Sequence, residues 1–354
     1  MINEINVQFP INRLGYGVTG TNLLNALSKK TRLNLFPIGP LEVTNPKLQD
    51  VVTQSIQNTK DCDFEAPTLK LWHQNQLLER VGNGRYYGFP IFELNNFTEQ
   101  ELVNLRAPEK FITCSQWAKE ILSNFTEKEI FVVPLGVDGE IFYPEEKDKS
   151  RTYKFFTVSK WEIRKGHDFI IDCFNKAFED NDDVELHLAT FNPFFQGQNE
   201  FKAREWESLA KNAKLGHKTI TYGPFPSHIE IANFIRSMDC GLFPSRAEGW
   251  LLELLESMAC GKPVITTNYS GHTEYCNNKN SYLIDIETLT EANDGIWFHG
   301  NGEWAFLGQR HKTQMIDYMR HCYKERPDNQ EGLKTAIEFS WENSARKLMN
   351  AIGE

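Results

Sequence analysis

Two glutamates and two lysines between positions 160 and 256 of this 354-residue chain carry the clearest chemical signal. From Phe243 the sequence reads FPSRAEGWLLELLESMACGKPVITT: a strand ending at Pro244, a tight Ser-Arg-Ala-Glu-Gly loop, and a helix beginning near Leu251. A loop that opens into a helix presents free backbone N–H groups and the positive end of the helix dipole, a ready site for a phosphate. Glu248 lies before the helix and Glu256 within it, in an E-x7-E spacing. On one continuous helix that spacing sets the two roughly 80° apart around the axis. With Glu248 in the loop, it reaches across the helix mouth instead. One carboxylate can then accept hydrogen bonds from sugar hydroxyls on one side of a diphosphate, and the other from ribose hydroxyls on the opposite side. Upstream, VSKWEIRKGHDFII places Lys160 and Lys165 between a strand and a helix, where two cations can neutralise a leaving diphosphate. Each piece also has an ordinary structural reading: a solvated helix face, a helix end capped by Gly261, and surface lysines.

Near the start, NRLGYGVTGTNLLNAL spells G-x-G-x-x-G with Gly15, Gly17 and Gly20, the spacing of a dinucleotide-binding turn. That fingerprint requires an acidic residue closing the second strand to hold ribose hydroxyls. LNLFPIGP ends without one and Glu42 arrives late, so a nicotinamide site is disfavoured. His73, in LKLWHQNQL, ends a third strand; it either projects into a cleft or packs structurally beside Trp72. Glu93, in GFPIFELNNF, follows a fourth strand.

The elements that must position these residues alternate. After the charged bridge Pro144 to Lys154, FFTVS, VELHLAT, TITYG, CGLFP and PVITT read as strands separated by single helices. Such a pattern calls for parallel pairing in a doubly wound sheet. The first half is noisier, with INVQF, LNLFPI, LKLWH, YYGFPIF, KFITCS and IFVVPLG as strands and TNLLNALSK and SQWAKEILSNF as helices. Two Rossmann-like domains facing each other are expected, residues 1–146 and 147–337, with ligands beyond the strands' carboxyl ends. The net charge of −10 argues against nucleic-acid binding. Seven scattered cysteines without zinc spacing read as reduced thiols of a cytoplasmic protein. No apolar run approaches the length of a membrane span, leaving only peripheral membrane contact.

Over P-S-R-x-E-G, L-x-E-S-M-A-C-G-K-P-V-I and NYSGHTEY, the chain resembles the retaining GT-B glycosyltransferases of family 4, the group 1 glycosyltransferases. The resemblance implies that Glu248 contacts a donor sugar and Glu256 a ribose. It departs from the family where Leu251 replaces a frequent second glycine, and where Lys160 replaces an arginine, keeping the charge but losing the bidentate fork. VVPLGVDGEIFYP resembles the family's interdomain stretch, with Leu135 in place of Asn. FSWENSARKLM resembles its closing helix, so residues 338–354 are expected to pack on the first domain. GYGVTG then reads as a glycine loop forming the opposite wall of the cleft, with Thr19 or Asn22 adding a contact.

These readings set the candidate residues: Lys160, Lys165, Glu248 and His73 catalytic; Gly17, Ser159, Gly249, Trp250, Leu251, Leu252 and Glu256 binding the donor; and Tyr16 and Glu93 on the acceptor side. No cofactor and no metal are expected, with a nucleotide-diphosphate sugar as co-substrate and a glycan, lipid-linked or small-molecule hydroxyl as acceptor. A GT-B sugar-nucleotide epimerase and a non-catalytic nucleotide-sugar-binding module are the alternatives. The E-x7-E spacing counts against the first, and the leaving-group lysines against the second.

Overall fold

The computed structural model describes residues 2–146, 151–195 and 200–353. The expected boundary at 146/147 and part of the charged bridge fall on residues 147–150, outside the described residues. The first half runs β1 (Glu4–Gln8), α1 (Gly15–Ser28), β2 (Arg32–Leu35), α2 (Gln49–Gln57), β3 (Thr68–Leu71), β4 (Tyr86–Phe89), α3 (Glu99–Asn104), β5 (Lys110–Thr113), α4 (Gln116–Ser123) and β6 (Ile130–Val132). The second runs β7 (Tyr153–Val158), α5 (His167–Ala177), β8 (Val184–Ala189), α6 (Glu200–Lys211), β9 (Thr219–Thr221), α7 (His228–Ser237), β10 (Cys240–Phe243), α8 (Leu252–Ala259), β11 (Val264–Thr267) and β12 (Tyr282–Ile284). A hairpin of β13 (Leu289–Asn293) and β14 (His299–Ala305) follows, then α9 (Gln309–Glu325), α10 (Gln330–Glu338) and α11 (Trp341–Gly353).

Each half holds one six-stranded sheet, ordered β2-β1-β3-β4-β5-β6 and β12-β11-β10-β7-β8-β9, and every pairing within them is parallel. Strands covered on both faces by helices are buried at every position, as β3, β4, β10 and β11 are, even though Thr68 and Lys70 alternate with leucines along β3. Local signals start the helices. Thr98 and Glu101 form a capping box on α3, and Ser115 and Ser227 accept from Ala118 N and Glu230 N at the starts of α4 and α7.

The order reverses between β1 and β3 in the first sheet and between β7 and β10 in the second, the switch points where such sheets hold ligands. The loops after β3, β4, β7 and β10, with α1 after β1 and α8 after β10, carry the candidate residues. A continuous apolar core joins the halves, with Phe9, Phe156, Leu254 and Leu348 in one cluster. Helix α11 lies against α1, where Tyr87 donates to Ile352 O at 3.1 Å and Ser344 to Pro134 O at 2.7 Å.

One expectation is corrected here. GYGVTG is not a loop, because Gly15 opens α1 and all three glycines are helical. A Cβ at Gly17 would lie 2.4 Å from Asn12 N and O, and one at Gly20 would lie 2.2 Å from Pro10 O. Both glycines therefore seat the helix against the strand-end turn that precedes it. The Thr19 hydroxyl and Asn22 amide donate to Gly15 O and Val18 O of the same helix.

Candidate active site

The loops after β7 and β10 meet in a buried cluster of charges. Lys165 Nζ lies 2.7 Å from one Glu248 oxygen. Arg164 donates to the other at 2.9 Å, to Ala247 O at 2.7 Å and to Glu162 at 2.9 Å. Lys160 closes the chain of pairs on Glu162 at 3.0 Å. Glu248, Glu162 and Arg164 are each 6 % exposed or less. From the first half, Glu93 brings a third carboxylate to 3.7 Å from Arg164, so the cluster spans both halves.

Burial pushes the Glu248 carboxyl up, but Lys165 and Arg164 more than offset it and hold it at about 2. The same contest leaves Glu162 below the usual carboxylate range: burial opposes ionisation, while Arg164 and Lys160 favour it. Burial acts on Arg164 in the other direction, and Glu248 and Glu162 overcome it to keep the guanidinium charged. The backbone fixes Glu248 as well, through its N–H to Ser270 Oγ at 2.8 Å and Gly271 N–H to its carbonyl at 2.9 Å.

Leu251 caps α8 with φ 74° and ψ 74°, the left-handed region that favours glycine, and supplies no side-chain cap. The first N–H groups of α8 are thus left without a capping side chain. Tyr275 Oη holds this turn, its one proton lying between Leu251 O at 2.6 Å and Trp250 O at 3.1 Å. The side chains of Trp250 and Leu251 enter the core, Trp250 against Tyr275 and Phe339, so the groups these two residues have left to offer a donor are those of the backbone. Leu252 is half-buried against the same core.

Other candidates fall around the cluster. Gly249 touches the first half so closely that a Cβ would come 2.4 Å from Ile91 Cγ2, and Cys114 Sγ donates to its carbonyl at 3.1 Å. His73 sits among aromatic rings, its centroid 4.5 Å from Tyr16 at a tilt and 4.9 Å from Trp72 edge-on, and is itself exposed. Packing lowers its pKa, with Lys160 reinforcing and Glu93 opposing. His73 thus packs beside Trp72 while remaining exposed. Tyr16 hydrogen-bonds its hydroxyl to Ile91 O. Ser159 Oγ meets the buried His167 ring at 2.9 Å, and the ring's other nitrogen lies 3.3 Å from the Glu162 carbonyl, linking Ser159 to the edge of the cluster.

Glu256 does not join the cluster. It is buried in α8, and burial raises its pKa well above the usual value, with the like charges of Glu253 and Asp138 acting in the same direction. No ion pair to it occurs among the described residues. Arg164 and Glu162 are the members that sequence reasoning missed. The only signal was two more charged residues inside WEIRKG, between Lys160 and Lys165. No group of side chains suited to a metal ion occurs among the described residues.

Two facing Rossmann-like sheets with a charged site at their strand ends define the GT-B fold of glycosyltransferases. The architecture is shared with sucrose-phosphate synthase from Thermosynechococcus elongatus, at TM-score 0.72 and 13% identity over 99% of this chain and 98% of that one. It is shared equally with Anabaena HepE in complex with UDP and glucose, at TM-score 0.71 and 14% identity over the whole of both chains. Residues 140–298, a little under half of the chain, match the family described as glycosyl transferases group 1. A probable sucrose-phosphate synthase of Thermosipho melanesiensis is 31% identical over 230 residues, 63% of this chain and 47% of the relative. The match spans less than half the length of this and the next curated relatives. No helix among the described residues is long and apolar enough to cross a membrane.

Proposed function

We propose that the protein is a retaining glycosyltransferase that moves a sugar from a nucleoside-diphosphate sugar to an acceptor hydroxyl without an obligatory metal ion. The observation that carries this is the buried Lys165–Glu248–Arg164 cluster at the mouth of α8, completed by Glu93 from the opposite half. A diphosphate seated on the uncapped first turn of α8 lies against the dipole's positive end. Lys165 has three N–H donors, so it can hold Glu248 and a phosphate oxygen together.

In the transfer, the bond from the anomeric carbon to the phosphate oxygen breaks and its electron pair goes to the phosphate. The acceptor oxygen bonds to the anomeric carbon from the same face, and its proton passes to the departing phosphate. Charge grows on the leaving oxygen, and Lys165, backed by Lys160, is the counter-charge. Glu248, held ionised, accepts from hydroxyls of the donor sugar and Glu256 from the ribose. The UDP and glucose held by the Anabaena neighbour support a nucleotide-sugar donor.

The experiment is a panel of nucleotide sugars assayed for nucleoside diphosphate release, with and without chelator. Release that survives chelation and falls in Lys165→Ala and Glu248→Ala supports the reading. Binding of no nucleotide sugar by the wild type, or release abolished by chelator, contradicts it.

A further inference from the structure

Beside the charge cluster, the second half contains a cavity of about 770 Å³ between α5, α6 and the turn of the β13–β14 hairpin. That lies within the range of roughly 300–1,000 Å³ typical of small-ligand sites. Trp206 and Phe195 form buried parts of its wall, while Trp297 and Leu209 stand 44 % and 48 % exposed at it. Phe194, also 44 % exposed, lies 5.8 Å from the Trp297 ring and under Lys160 Nζ at 5.0 Å. Exposed aromatic surface therefore runs from the charge cluster to the cavity mouth. Isolated exposed apolar residues are ordinary, but a contiguous group around a cavity marks a binding surface.

The charges lining the cavity narrow the ligand. Asp168 is paired with Arg246 at 2.9 Å and Asp172 with Lys312 at 2.6 Å, both cations from outside the cavity wall. The lining lysines are themselves paired, Lys202 with Glu205 and Lys214 with Glu179. A phosphate would face a wall richer in carboxylates than in cations. An acyl chain would have to strip water from those carboxylates without replacing their hydrogen bonds. A cation would compete with ion pairs already formed. A neutral ligand with many hydroxyls meets none of these penalties, because carboxylates and amides accept its O–H groups while indole faces cover its apolar ring surface.

We infer that this cavity is a carbohydrate-binding site for a neutral oligosaccharide, distinct from the transfer centre and sharing with it the wall at Glu162. Trp297 is its aromatic platform, and Asp172, Asn212 and Asp294 supply hydroxyl acceptors. The inference goes beyond the transfer reading and is tested without a donor. Maltoheptaose, chitohexaose and mannohexaose are titrated into the full chain by calorimetry and tryptophan fluorescence, with pyrophosphate and decanoate alongside. At least one oligosaccharide is expected to bind saturably with a Kd of about 1 mM or tighter. The affinity should fall about tenfold or more in Trp297→Ala and in Leu209→Glu, both exposed positions, while UDP affinity stays unchanged. Three results would overturn the inference: no saturable binding of any of the three sugars, binding undiminished in both variants, or pyrophosphate or decanoate binding that Trp297→Ala abolishes. A concentration-dependent dimer lost in Trp297→Ala would assign the surface to a second copy and would also overturn it.

Discussion

At the scale of single residues, the account rests on a carboxylate held ionised inside the protein by two cations. Lys165→Ala removes the charge closest to the leaving phosphate and should lower kcat about 10²- to 10³-fold in steady-state assays. Glu256→Ala should mainly weaken nucleotide binding, whereas Glu248→Ala should mainly slow transfer; equal loss of nucleotide affinity in both would refute that division. Arg164 has a linked effect on stability. The Glu248 pKa is lowered from 4.5 to about 2 in the folded protein, so its stabilisation is complete above 4.5 and lost as the pH falls through about 2. Arg164→Met removes one of the two cations and raises that folded pKa. Its deficit in melting temperature against wild type should be largest near neutrality and shrink as the pH falls below 4.5. A deficit independent of pH would mean that Arg164 acts by packing alone. Lys165 and Glu248 were legible because their spacing to Gly166 and Gly249 is a local pattern. Arg164 was not, because its burial is set by carboxylates at 93, 162 and 248, which only the fold brings together.

At the scale of elements, the six strands of the first sheet and five of the second were legible as short runs rich in apolar, aromatic and β-branched residues, whereas β12, only Tyr282–Ile284, was not. The β13–β14 hairpin was not, since LTEAN and HGNGEWA carry neither alternation nor an apolar run. Helix α9 was hidden for a related reason: its buried face is His311, Met315, Met319 and Cys322, too sparse and too polar to show a stripe. The G-x-G-x-x-G spacing misled in conformation, because close helix packing demands the same glycines as a phosphate loop. The turn into α8 makes a prediction of its own. Leu251 in the left-handed region is held by the Tyr275 hydroxyl, whose one proton is shared between Leu251 O and Trp250 O. Tyr275→Phe deletes this donor and should cost about 1–3 kcal/mol in urea unfolding. It should also weaken UDP binding by loosening the first turn of α8, and unchanged UDP affinity would separate this turn from the donor site.

At the scale of the whole molecule, the two halves meet at Gly249 against Ile91 and Phe92, at Cys114, and at Arg164 with Glu93. The hairpin adds a further strap, with Asn95 accepting from Glu303 N at 2.8 Å. Gly249→Ala forces a Cβ into Ile91 and should push the halves apart. A rise in radius of gyration by small-angle scattering, with a fall in turnover of about tenfold or more, is the expected outcome, since misplacement by about 1 Å can cost 10²-fold. Turnover preserved in Gly249→Ala would show that this apposition is not needed. The most direct test of the account is real-time proton NMR of the wild-type protein with an α-configured nucleotide sugar and an acceptor. The predicted result is consumption of the donor, release of nucleoside diphosphate and a product anomeric signal with the donor's configuration, all lost in Lys165→Ala. A product of inverted configuration, or a sugar nucleotide epimerised with no diphosphate released, would contradict it.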